Sequence, residues 1–366
     1  MDSQQAQKYF SAILGHAHKL HASDVHLVAG LSPAYRVHGE IVLADAPPIP
    51  AEQLREIIYS MLNDVQRATL EHDLELCFSI ADDLRNRFRV TIYYHASSPE
   101  MAIRRCSADI PTREQLGLPK IVEEFARRRS GLVLVTGPTG VGKTTTLSFM
   151  IDLVNSERRC KIVTIEDPIE YIHSHKRAIV IQQELRSDVR SFSAALRNVL
   201  RQDPDVIVVG EMRDLETIET ALTAAETGHL VLATLHTPNA QQTIERIVSA
   251  FPGNQQNQII AQLSNSLQGV VAQLLLPRAD KKGRVLACEI LIANSAVRTH
   301  IRDNSIHQIS SVIQMSKRFG MQSMDMSLAE LYERGDISYD MANTHALDST
   351  NIKPPKGGIL AGLNSD

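Results

Sequence analysis

The chain has 366 residues, 43% of them apolar and 22% charged, enough for two or three domains that each bury a core; that balance excludes the disordered and fibrous classes. A formal net charge of -4 excludes a general affinity for nucleic acid or anionic membrane, so any site for a polyanion has to be local. No apolar run nears the ~20 residues that span a bilayer, and the opening MDSQQAQKYFSAILGHAHKL has no signal-peptide core, which places the expected protein in the cytoplasm without membrane insertion. Cys77, Cys106, Cys160 and Cys288 are scattered and form no C-x-x-C pair, so they read as small hydrophobes in a reducing compartment rather than as zinc or redox ligands.

In chain order, residues 1–106 read as a small α+β domain. An opening helix to Leu20 leads to short β-rich runs on either side of a turn at His38-Gly39-Glu40. In AEQLREIIYSMLND, Leu54, Ile57, Ile58, Met61 and Leu62 share one helical face. Strands follow at LELCFSI, RFRVTIYY and EMAIRR, giving a sheet with helices on one side. Residues 107–119, punctuated by Pro111, Gly117 and Pro119, read as an interdomain linker.

From residue 120 to 342 apolar strands alternate with helices: GLVLVTG, KIVTIEDP, DVIVVGE and HLVLATLHT are separated by helical segments. That alternation predicts a parallel sheet covered on both faces, an α/β fold. The C-terminal part reads as helical, with Ile259, Ile260, Leu263, Leu267, Val270, Val271 and Leu274 at helical spacing, followed by a charged hairpin and the strand VLACEILIA. The tail, 343–366, is rich in Pro, Gly and polar residues and is expected to be disordered.

The stretch LVLVTGPTGVGKTTTLSFM is the first to carry chemistry. A strand ends in a Gly-x-x-x-x-Gly-Lys-Thr loop that opens a helix, the P-loop pattern, whose backbone N–H groups cradle phosphates. Gly137, Pro138, Thr139, Gly140, Val141 and Gly142 form the loop. Lys143 can bridge the β- and γ-phosphates of ATP, Thr144 can offer its hydroxyl to magnesium (Mg2+), and Thr145 continues the hydroxyl run. Phosphoryl transfer to water also needs a group that orients the water and one that holds the metal. Two later strands end in acids, IVTIEDPIEY with Glu166, Asp167 and Glu170 as candidates, and VIVVGEMRD, whose Glu211 stands where a P-loop protein keeps its Walker B acid.

The ordered set GPTGVGKTT, TIEDPIEY, RQDPDVIVVGEMRD and TGHLVLATLHT resembles the Walker A, Asp, Walker B and His boxes of the type II/type IV secretion ATPase superfamily. The segments AVRTHIRD and HQISSVIQMSKRFGMQSMDMSLAELYERGDISYDMA are similar to those of the retraction ATPases of type IV pili, the PilT type, so the resemblance runs from about Ser23 to Ala342. It implies a RecA-like P-loop NTPase core with a smaller N-terminal α+β (PAS-like) domain and a helical C-terminal region. It implies that Lys143 and Thr144 bind ATP and magnesium, that Glu170 is the base positioning water, that Glu211 acts at the metal, and that His229 and His236 sense or couple the nucleotide state.

Among the basic residues Arg85, Arg87, Arg89, Arg104 and Arg105, the plain reading is a solvated strand edge protected from pairing. The resemblance instead implies arginines that reach nucleotide at a subunit boundary, with Arg87, Arg89 and Arg104 as candidates. It further implies a homo-hexamer at the cytoplasmic, inner-membrane base of a pilus machine, pulling on an inner-membrane pilus platform protein and working beside other pilus ATPases. ATP hydrolysis would rotate the first domain against the second across Pro111–Pro119. Extension-type pilus ATPases are longer and carry a tetracysteine zinc site, absent here. An accessory, PilU-like retraction ATPase or another secretion ATPase shares the boxes and is the nearest alternative. A nucleic-acid translocase with a RecA-like core is disfavoured by 4% aromatics, no tryptophan and negative charge; a nucleotide-gated assembly module that barely hydrolyses ATP is the third reading.

Overall fold

The computed structural model describes residues 2–37, 40–81, 87–106 and 109–353; the expectations for the turn at His38-Gly39, for Arg85 and for the tail from 354 onward fall outside the described residues. The chain divides into two compact units, Met1–Ile110 with Asp167–His173, and Pro111–Glu166 with Ser174–Asp366.

In the first unit, α1 (Ser3–Lys19) opens on an Asp2–Gln5 capping box and presents Ala6, Phe10, Ile13, Leu14 and Ala17 as one buried stripe. Strands β1 (Asp24–Leu27), β2 (Ala34–Val37) and β3 (Glu40–Leu43) follow, then α2 (Ala51–Met61), which buries Leu54, Ile57 and Ile58. The next helix, α3 (Asp64–Asp73), is one that apolar periodicity does not announce; its signal is an Asn63–Gln66 capping box. With β4 (Glu75–Ala81), β5 (Arg87–His95) and β6 (Ser98–Arg105) the strands form an antiparallel sheet of order β3-β2-β1-β6-β5-β4. Period-two alternation on β5 sends Phe88, Val90 and Ile92 into the helix-covered core. Arg87 and Arg89 therefore lie on the other face.

The second unit begins where a linker was expected. Thr112 caps the short helix α4 (Arg113–Leu116), Leu118 is 2% exposed, and Arg113 pairs with Glu123 at 2.9 Å. Within Pro111–Pro119, Leu118 is buried and joins the cluster under α5 (Ile121–Ala126). The sheet contains β7 (Gly131–Thr136), β8 (Lys161–Glu166), β9 (Ile179–Glu184), β10 (Val206–Val209), β11 (Leu230–Leu235), β12 (Leu267–Pro277) and β13 (Arg284–Ile292), in the order β13-β12-β7-β11-β10-β8-β9. All neighbours are parallel except β12 and β13. Helices α6 (Lys143–Glu157), α7 (Phe192–Val199), α8 (Leu215–Glu226), α9 (Ala240–Ser249) and α10 (Gly253–Ser266) supply the covering layers, which is why β7, β10 and β11 are buried throughout.

The predicted helix through Leu274 is corrected: the chain leaves α10 at Ser266 and becomes β12 at Leu267. A short continuous apolar run fits a buried strand as well as a helix, and periodicity alone does not separate them. Here β7 offers an open edge, and Gly269 packs so tightly that a Cβ would stand 2.1 Å from the Phe125 ring. Helices α11 (Ser295–Arg302), α12 (Ile309–Met315), α13 (Met324–Glu333) and α14 (Tyr339–His345) complete the unit. In the first part of the segment expected to be disordered, Asp325 accepts hydrogen bonds from the backbone amides of Leu347 and Asp348 at 2.8 and 3.0 Å, and Ile352 is 2% exposed.

Candidate active site

Strand β7 delivers Gly137 at its C-terminal end with φ 135°, and a Cβ there would lie 2.4 Å from the carbonyl oxygen of Gln273, so no side chain fits. Gly140 and Gly142 also take positive φ, 83° and 90°. They turn the chain into α6, whose N-terminus has no side-chain cap. The first amides of a helix have no partner within it, and a helix start of this kind after a glycine loop suits an anion, reinforced by the helix dipole. Thr144 and Thr145 stand half-buried in that first turn.

Lys143 is 9% exposed and its ammonium folds back onto its own loop, donating to the carbonyls of Gly137 at 2.7 Å and Pro138 at 2.9 Å. Burial pushes it below the ordinary lysine range, and the charge of Glu211 partly restores it. Glu211 follows β10, beside β11 in the sheet. Its turn is fixed by Met212 N–H donating to Thr234 O at 3.1 Å and by Thr234 Oγ1 donating to Gly210 O.

Thr136 pairs with Leu235 across β7 and β11, so Gly137 and His236 leave their strands side by side. His236 then bridges the two charged groups. Its Nε2 is 3.0 Å from Glu211, and its Nδ1 is 3.4 Å from both Lys143 Nζ and Thr139 Oγ1. Because an ammonium can only donate, the consistent tautomer carries its proton on Nε2 and gives it to the carboxylate. Arg213 holds the other carboxylate oxygen at 2.7 Å. Burial raises the Glu211 carboxyl, but the Arg213 hydrogen bond and His236 outweigh it and hold the group below the ordinary carboxylate range.

Not every predicted residue joins this cluster. His229 precedes β11, at the opposite end of the strand from His236 and about 23 Å away at ~3.3 Å per residue. Its Nδ1 contacts Ala224 O at 3.0 Å, closing the end of α8. Glu166, 8% exposed, accepts from Thr164 at 2.6 Å and Gln182 at 3.0 Å. Glu170 belongs to the N-terminal unit, where Arg89 stands 3.9 Å away and Arg87 Nε donates to Ile169 O at 3.0 Å. Arg104 pairs with Asp24 at 2.8 Å. The three candidate arginines thus each hold a partner inside that unit. Arg213 and Thr234 lie within the quoted boxes without having been singled out there, and Gln273 and Glu289 lie outside every motif, visible only as single polar residues inside the apolar runs VVAQLLL and LACEILI.

The donor set fits magnesium chemically. A hydroxyl on Thr144 and a carboxylate on Glu211 are hard oxygen donors, and an ion held by so few protein ligands takes the rest from phosphate and water, as Mg2+ does. Among the described residues no cluster of three His, Cys, Asp or Glu forms an all-protein cage.

Glycines that open a helix toward a buried lysine, with a strand-end acid and a histidine beside it at the carboxyl edge of a parallel sheet, define a P-loop ATPase with the RecA-like core of the secretion ATPases. The chain belongs to the type II/IV secretion system protein family, which matches residues 1–333. It is 44% identical to the Pseudomonas aeruginosa type IV pilus retractation ATPase PilT, over 91% of this chain and 97% of that protein. Against the type IV pilus ATPase PilU of the same organism the identity is 41%, over 90% of this chain and 86% of that one. Its structure is similar to that of the pilus retraction motor PilT with bound ADP, with TM-score 0.86 and 47% identity over 92% of this chain and 97% of that one. No described helix is long and apolar enough to cross a membrane.

Proposed function

We propose that this chain hydrolyses ATP to ADP and phosphate and couples the reaction to retraction of a type IV pilus. The observation that carries the reading is the continuous contact from Glu211 through His236 to Lys143 beside an uncapped helix N-terminus. That arrangement can grip a triphosphate and register its departure. The identity to a pilus retractation ATPase over nearly the whole length of both proteins supplies the biological direction.

The amides of residues 140–145 and the ammonium of Lys143 would take the phosphates, while Thr144 and Glu211 would hold Mg2+, which supplies charge neutralisation at the phosphate oxygens when bound. Glu170 would orient the attacking water. In the N-terminal unit its carboxylate is met by Arg89 and its loop is held by Arg87, so these arginines set where the base lies; a role for them or for Arg104 at phosphate requires exchange of their present partners. The working assembly is a homo-hexamer in the cytoplasm at the inner-membrane base of the pilus, acting on a platform protein there. The 41% identity to PilU also fits an accessory retraction ATPase; loss of twitching on deleting this gene alone distinguishes the main motor from the accessory one.

Steady-state phosphate release together with nucleotide binding tests the reading. Lys143→Ala is expected to lose nucleotide binding. Glu170→Gln is expected to bind ATP as tightly as the parent and lose turnover by about 10²-fold or more; turnover equal to the parent would reject Glu170 as the base.

A further inference from the structure

We infer that Glu289 is the positioning residue that holds His236 between Glu211 and Lys143 and links that histidine to the C-terminal helices. Glu289 lies on β13, 6% exposed, opposite Ala272 of β12. Its carboxylate accepts the backbone N–H of Ala240 at 2.8 Å and that of Met324. Those are the first residues of α9 and α13, each ten residues long. One buried carboxylate therefore bridges the positive ends of two helices, where a negative charge is favoured.

The position is costly without those amides. Burial raises the Glu289 carboxyl above the ordinary glutamate range, the two amides draw it back, and Asp325, 4% exposed, adds a like charge. A buried carboxylate is tolerated where donors meet it, and removing its charge loosens both helix ends at once.

Ala240 follows His236 by four residues, and the chain between them has little freedom. Thr237 Oγ1 lies 2.7 Å from Thr243 Oγ1, and the Asn239 side chain caps α9 by accepting Gln242 N–H at 2.8 Å. Where the first turn of α9 sits thus decides where the imidazole sits. The imidazole contacts at 3.0 and 3.4 Å leave little slack, and a displacement near 1 Å in a catalytic site can cost ~10²-fold in rate. At its other end, Glu289 shares β13 with Cys288, whose N–H donates to Ser327 on α13 at 3.0 Å, and with Ile290, which bridges to Gln322. The C-terminal helices and His236 are consequently fastened to the same short stretch of strand.

The inference rests on the reading that this site hydrolyses ATP, and a double-mutant cycle on the full chain separates the two. Glu289→Gln keeps volume and one acceptor and removes the charge. It is expected to lower kcat about tenfold, with KM for ATP changed less than about threefold, because the phosphate loop is untouched. In a His236→Ala background the same substitution is expected to cost less than about twofold, since a residue that acts through His236 has nothing left to position. Glu289→Ala, where it folds, should lose more and cancel in the same way. A parental kcat in Glu289→Gln, or a loss that persists in full without the imidazole, overturns the positioning role alone. Parental turnover in His236→Ala overturns both this role and the part assigned to His236, while leaving the phosphate loop's assignment intact.

Discussion

An ammonium that hydrogen-bonds to the carbonyls of its own loop can exchange them for a stronger acceptor, and phosphate oxygens are stronger because both partners are charged. Lys143 is in that state, with Gly137 and Pro138 as its present acceptors. Glu211 is kept ionised nearby, since Arg213 and His236 outweigh the effect of burial. A folded value below the unfolded one means that this carboxylate's contribution to stability is present in full above about pH 4.3 and is lost as pH falls through the lowered value. Thermal unfolding should therefore show a Tm gap between the parent and Glu211→Gln that is constant from about pH 8 to 5 and closes below about pH 4. A gap that widens on acidification would contradict the assignment. The sequence showed Lys143, Glu211 and His236 because each is fixed by short spacing from a strand end. It did not separate His229 from His236: the two are seven residues apart along one strand, and the strand itself carries them to opposite edges of the sheet. Nor could it show that Arg87, Arg89 and Arg104 have partners within their own unit, because Ile169, Glu170 and Asp24 are about 80 residues away in the chain.

At the scale of elements, the junction between α10 and β12 decides the architecture around the P-loop strand. Arg298 closes it, donating to the carbonyls of Ser264 at 2.6 Å, Asn265 at 2.7 Å and Leu267 at 2.8 Å. These are the end carbonyls of a helix, and a cation there is favoured by the dipole as well as by hydrogen bonding. The first arginine of AVRTHIRD is therefore occupied within the fold. Arg298→Ala should lower unfolding free energy by ~2 kcal/mol in urea titrations, and an unchanged midpoint would show the cap to be dispensable. Gly269→Ala should destabilise by ~2 kcal/mol or more through overpacking against Phe125, with partial recovery when Phe125→Leu makes room. Parallel strands and their covering helices were legible from alternation of apolar runs. The helix-to-strand switch was not, because Val270, Val271 and Leu274 satisfy helical spacing by coincidence in a strand buried on both faces. Helix α3 was missed for the opposite reason, since Leu70 is its one fully buried residue and only its capping box marks it.

For the whole molecule, topology gathers the chemistry. Strands β11 and β10 insert between β7 and β8, so the P-loop, His236, Glu211 and Glu166 emerge from four neighbouring strands at one edge of the sheet, the place where open α/β sheets bind ligands. Asp167–His173 leaves that sheet and packs with the N-terminal unit, taking Glu170 with it. Glu170, the residue proposed as the base, and the phosphate loop thus belong to different units. The C-terminal segment is part of the same construction. Ending the chain at Ala346 would strip Asp325 of the Leu347 and Asp348 amides and remove buried Ile352. A loss of ~2 kcal/mol or more is expected in chemical denaturation, and unaltered stability would show that this segment contributes nothing to the fold.

The most direct measurement is a crystal structure of this chain with ADP or a non-hydrolysable ATP analogue and magnesium. The phosphates are predicted to lie against the amides of residues 140–145, with Lys143 Nζ released from Gly137 and Pro138 onto phosphate oxygen and His236 still beside Glu211. Nucleotide bound elsewhere, with Lys143 remaining on its two carbonyls, would contradict the account.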